Sequence, residues 1–154
     1  MISRPTTSQL VDVVRHELST KIAAHITDPE LTVALQMVDH VLVTIARRAD
    51  HEIAWMQEEM DAIESAAADL VAAEPGAGAV AEALEDYRTG RTGSLHLADV
   101  TDDYNRAAEV LSRAVEFVMA SGGAHKERII GLLSARLDHE VEVIGPDFTL
   151  VGRA

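Results

Sequence analysis

An all-α fold is what this sequence predicts: an antiparallel four-helix-type bundle with one long second helix and an additional short helix. Three observations lead there. The chain is 47% hydrophobic but only 3% aromatic, so its core is built from Ala, Val, Leu, Ile and Met, which suits closely packed helices better than a β-sandwich. Apolar residues recur at spacings of three and four in segment after segment, the rhythm of a helix that buries one stripe. Proline and glycine gather between those segments, where they end helices.

The first helix is expected from Thr7 to Ile26, with Leu10, Val11, Val14, Leu18, Ile22 and Ile26 on its apolar face. It stops at Thr27-Asp28-Pro29-Glu30, where Thr27 or Asp28 caps the next helix and Pro29 suits its first turn. From Leu31 to about Glu74 no proline or glycine occurs, and the inward positions run Leu35, Val38, Leu42, Ile45, Ala49, Ile53, Met56, Met60, Ile63, Ala67, Leu70. That run is a heptad alternation with one added four-residue step between Ala49 and Ile53, which locally unwinds a supercoil. A break or a bend is expected between Arg48 and Glu52. Unbroken, the segment reaches on the order of 65 Å, so it either overhangs the bundle or packs on another chain.

Pro75-Gly76-Ala77-Gly78 ends the long helix, and Ala79 to Tyr87 reads as the short one before a loop at Thr89-Gly90-Arg91-Thr92-Gly93-Ser94. Leu97 to Met119 follows, with Val100, Tyr104, Ala107, Leu111, Ala114 or Val115, and Val118 inward, stopped by Ser121-Gly122-Gly123. Ala124 to about Val143 is the last helix, with Ile129, Ile130, Leu133, Leu137 and Val141 inward before Gly145-Pro146. No repeat or linker divides residues 1–154, which read as a single helical-bundle domain of a size that buries roughly 68–70% of its unfolded surface.

The formal net charge of −13 repels phosphate backbones and anionic lipid surfaces, which argues against nucleic acid and membrane as partners. Carboxylates crowd the stretch from Asp50 to Asp86, with no Lys or Arg until Arg88; such a run is a solvated helix face or a surface for a basic partner. The absence of cysteine excludes disulfides, thiolate metal sites and Cys nucleophiles. The start, Met1-Ile2-Ser3-Arg4-Pro5, lacks a signal-peptide apolar core, and no stretch approaches 18 uninterrupted apolar residues. A cytoplasmic location is expected.

Chemistry-bearing motifs are sparse. No Glu-x-x-His of a di-iron bundle occurs, no His-Glu-x-x-His, no Gly-x-Ser-x-Gly and no phosphate-binding glycine loop. Adjacent carboxylates such as Glu58 and Glu59 point about 100° apart on a helix and do not converge as an acid/base pair. The reading is therefore of a chain with no catalytic residues and no cofactor. His51 and His139, each inside an Asp-His-Glu triplet, are the candidate metal ligands, or else surface histidines flanked by acids. Trp55, the only tryptophan, with Met56 and Met60, and the tail residues Phe148 and Leu150 are the candidate partner contacts, because aromatic side chains and Met are enriched at interfaces. Trp55 and Phe148 equally suit the cap of a core.

The order of elements resembles an uncharacterised family of small helical bacterial proteins encoded beside aminoglycoside-phosphotransferase-like kinases and acyl-CoA dehydrogenases. The match begins at Arg4-Pro5-Thr6 with Leu10, Val11, Val14 and Leu18 behind it, and continues through Val38 to Arg48. It then takes in Tyr104-Asn105-Arg106 and Arg136-Leu137, followed by Gly145-Pro146-Asp147-Phe148, where the family tends to have Asn-Pro-Arg-Tyr. The resemblance implies a non-catalytic accessory subunit of a kinase acting on hydroxyacyl-CoA in 4-hydroxy acid breakdown, the larger subunit holding ATP, magnesium and the catalytic base. Two other classes stay open: a homo-oligomeric structural bundle, and a bundle that binds a metal or small ligand.

Overall fold

A computed structural model describes residues 4–145. Among them the chain is all-helical, with five α-helices and no strand: α1 (Thr7–Glu17), α2 (Pro29–Ala73), α3 (Gly78–Gly90), α4 (Leu97–Ser121) and α5 (Lys126–Ile144). No helix of the described residues is long and apolar enough to cross a membrane. Packing groups the chain into two compact units, residues 4–52 with 143–145, and Ile53–Glu142.

In the first unit, α1 starts at a reciprocal cap. The Thr6 hydroxyl accepts the Gln9 N–H at 3.3 Å, and the Gln9 side chain accepts the Thr6 N–H at 3.0 Å, so two amides that the helix leaves unpaired are satisfied. The α-helix expected to reach Ile26 ends at Glu17, giving way to a π turn over Leu18–Ile22 and a 3₁₀ turn over Ala23–His25. The Ser19 and Thr20 hydroxyls both donate to the His16 carbonyl, at 3.1 and 2.7 Å, competing for the acceptor that the α ladder needs. Asp28 is the cap of α2, its carboxylate accepting the Glu30 N–H at 2.8 Å. Helix α2 then runs through residues 48–52 without a break. The division between the two units nevertheless falls at Glu52 and Ile53, the end of the added four-residue step.

The second unit holds the core. Met60, Ile63, Ala67 and Leu70 of α2 meet Val80, Leu84 and Tyr87 of α3, Val100, Ala107, Leu111, Ala114 and Val118 of α4, and Ile129 of α5. The α4 stripe is as the spacing requires. Helix α3 extends to Gly90, past the expected Tyr87, because the Thr89 hydroxyl donates to the Glu85 carbonyl at 2.9 Å and Arg106 donates to the Gly90 carbonyl at 2.7 Å. The following loop is pinned by Asp103, which is fully buried and accepts the Thr92 N–H at 3.0 Å and its hydroxyl at 2.9 Å. Helix α4 ends at Gly122, whose φ of 70° is a conformation that glycine adopts without a Cβ penalty.

Helix α5 is turned from its expected orientation. Leu133, Leu137 and Val141 were placed inward, yet they are 40%, 62% and 56% exposed. Ile129 is buried as expected, and Leu132, Arg136 and His139 continue the covered stripe in place of those three. Polar contacts set this rotation: Arg128 pairs with Asp69, and His139 with Glu59.

Candidate functional site

Two features of the described residues stand apart from ordinary helix packing, one in each unit. The first is an apolar surface carried by the first unit. Leu10, Val13 and Val14 of α1 lie one turn apart on a single helix face, and all are about half exposed. On α2, Leu31, Val38, Val41 and Ile45 follow the same spacing and are 55%, 46%, 55% and 44% exposed. Leu35 and Leu42 are half-buried, so the stripe expected to face inward does so only in part.

Polar groups join these two helices. The Ser8 hydroxyl, in a nearly buried residue, donates to Asp50 at 2.7 Å, and the Arg15 guanidinium donates to both oxygens of Asp39 at 2.8 and 3.2 Å. The carboxylate raises the already high pKa of Arg15, so the pair stays charged at any physiological pH. Beside these contacts runs a cleft of about 870 Å³ bordered by Asp12, His40, Arg47 and His51. A helix pair normally buries its apolar stripe and leaves its charges to water. Here much of that stripe is left outside.

The second feature is a compact polar cluster in the second unit. Glu59, on α2, has a side chain only 13% exposed. Its carboxylate accepts the Tyr104 hydroxyl of α4 and, at 2.7 Å, the Nδ1–H of His139 of α5. The indole of Trp55 stacks on the His139 ring, with centroids 4.7 Å apart and planes 7° from parallel. Arg136 lies 5.1 Å from the Tyr104 ring centroid, in cation–π range. Burial pushes the Tyr104 hydroxyl well above the usual phenol range, and its hydrogen bond to Glu59 pushes the same way. The phenol therefore keeps its proton and stays the donor in this bond. This cluster is a carboxylate-oriented imidazole, and among the described residues no serine or threonine hydroxyl is hydrogen-bonded to it.

The residues singled out in the sequence fall as follows. His139 and Trp55 meet in one cluster, which spacing could not foretell because they are far apart in the chain. Met56 is half-buried against the core, and Met60 is wholly inside it. His51 borders the cleft of the first unit. Phe148 and Leu150 lie outside the described residues. Among the described residues no three His, Asp or Glu side chains gather as a metal site. Glu59, Tyr104 and Arg136 were missed as site residues, Tyr104 because its position read as core and Arg136 because its helix was expected to face the other way. Compared with protein-family models, with curated proteins and with solved structures, the chain matches none of them.

Proposed function

We propose that this chain works by contact, as a non-catalytic accessory subunit that stabilises a larger partner. The partner we propose is an aminoglycoside-phosphotransferase-like kinase acting on hydroxyacyl-CoA in 4-hydroxy acid catabolism, as the family resemblance implies. The observation that carries the reading is the uncovered apolar face of the first unit, where helices joined by one ion pair and one hydrogen bond leave Leu10, Val14, Val38, Val41 and Ile45 exposed. Fully burying an aliphatic side chain of this size is worth about 1.5–3 kcal/mol, so covering several half-exposed ones supports a stable interface. Trp55, with its ring stacked inside the second unit, is on this reading a support for the core more than a contact.

The fold we propose for this subunit is an antiparallel four-helix-type bundle in a single domain. Opposed sequence order in the second unit supports it: Arg88 of α3 pairs with Glu64 and Arg91 with Asp61 of α2, and Arg128 and His139 of α5 pair with Asp69 and Glu59. Neighbours at about 20° from antiparallel are the usual geometry of such bundles.

Reconstitution tests the function. The kinase expressed alone is expected to be poorly soluble or slow on hydroxyacyl-CoA, and to gain activity when this chain is added at equal amounts. Full activity of the kinase without it, with no complex on sizing, contradicts the proposal. A dimer of this chain that forms without any kinase and resists its addition favours the homo-oligomeric reading instead.

A further inference from the structure

Next to the Glu59 cluster the second unit holds a cavity of about 200 Å³. Ile63, Leu111, Leu132 and two alanines, Ala62 and Ala135, wall it. At the roughly 30 Å³ that a water occupies in the liquid, it has room for about six non-hydrogen atoms. Its polar border is small and unequal. Glu59 is already engaged by two donors, Tyr104 and His139. Glu58 is exposed, and its charge is screened by solvent.

Arg136 is the group left with capacity. Every other arginine of the second unit, namely Arg88, Arg91, Arg106, Arg113 and Arg128, reaches a carboxylate. Arg136 is half-buried at the cavity rim and, among the described residues, forms no ion pair; its contact is the face of Tyr104. A guanidinium presents five N–H donors in a planar fork that matches a carboxylate, and the ring behind it leaves that fork unspent. In a chain with 26 acidic and 13 basic residues, a half-buried arginine lacking its carboxylate is a place for one to arrive.

We propose that this cavity binds a short-chain aliphatic monocarboxylate, its carboxylate held by Arg136 and its chain among Ile63, Leu111 and Leu132. A cationic ligand would find only the solvated Glu58 and the occupied Glu59. A neutral amide would forgo the charge-assisted pair. This inference is independent of the accessory-subunit reading, since it uses only side chains of the second unit.

Trp55 supplies the probe, because it is the only tryptophan and its ring lies on His139 at the cavity border. Titration of the whole chain with sodium butyrate, followed by fluorescence and by calorimetry, is expected to give saturable binding with a Kd on the order of 1 mM. Butyramide and n-butylamine are expected to bind at least roughly tenfold more weakly. Arg136→Gln is expected to remove the preference for butyrate over butyramide, and Ala135→Leu or Ala62→Leu to block the cavity, each with helical circular dichroism retained. No saturable binding by either method, equal binding of the acid, amide and amine, or wild-type butyrate affinity in R136Q would each overturn the proposal.

Discussion

One buried and one half-buried hydroxyphenyl ring and one buried carboxylate carry the consequences that are testable side chain by side chain. Burial raises the pKa of both tyrosines, Tyr87 and Tyr104, above that of a free phenol. For Tyr87 desolvation leads, and Arg91 opposes it; for Tyr104 the bond to Glu59 adds to desolvation. A folded-state pKa above the unfolded value means that the native protein holds its proton longer. The stability so gained is complete below about pH 10 and drains away as pH climbs past that value toward the folded pKa. Titration of phenolate absorbance should show both tyrosines ionising late, in step with alkaline unfolding; ordinary phenol titration in the folded protein would contradict these environments. Asp103 offers a second check. It is buried with the Thr92 amide and hydroxyl and the Arg106 guanidinium as its donors, so Asp103→Ala leaves them without their acceptor and should cost about 3 kcal/mol by urea denaturation. A loss within experimental error would show that the loop at 91–96 is held by something else.

Helices differ in how much of their surface is covered, and their local stabilities should follow. Helix α4 buries a full stripe, whereas α1 contributes only Ser8 to the buried set. Amide exchange is expected to be slowest in α4 and around Met60–Leu70, and fastest in α1, whose opening uncovers little apolar area. Thr6→Ala removes the hydroxyl of the reciprocal cap and should cost about 1 kcal/mol, read as faster exchange in α1 with the second unit unchanged. Spreading of that effect into α4 would mean that the two units unfold as one. The contrast also marks what could be read in advance. Leu97 to Met119, Met60 to Leu70 and the helix stop at Gly122 were legible because period, composition and turn chemistry agreed there. The face of α5 was not, since Ile130, Leu133, Leu137 and Val141 make the better apolar stripe on paper. The contacts that accompany the observed face join Arg128 and His139 to residues of α2 some 60 and 80 positions distant, which no local spacing reveals. The Glu59 cluster was hidden for the same reason: Glu59 read as one acid among many until α4 and α5 delivered Tyr104 and His139 to it.

Apolar material is unevenly placed: nearly all of the buried core lies in the second unit, while exposed apolar side chains are carried by the first unit and by Leu133, Leu137 and Val141 of α5. On the proposed function a specific partner with apolar cover of its own meets the first unit's surface, while the −13 charge opposes casual self-association. The account therefore stands on whether Leu10, Val14, Val38, Val41 and Ile45 meet that partner. Sedimentation velocity of the chain mixed with the kinase, run beside the double variant Val38→Glu/Val41→Glu, addresses this most directly. Both positions are about half exposed, so the substitutions should spare the fold while placing two charges in the interface, and the complex seen with the unaltered chain is expected to weaken by at least about a hundredfold. An undiminished complex in the double variant, or none with the unaltered chain, would contradict contact through this face.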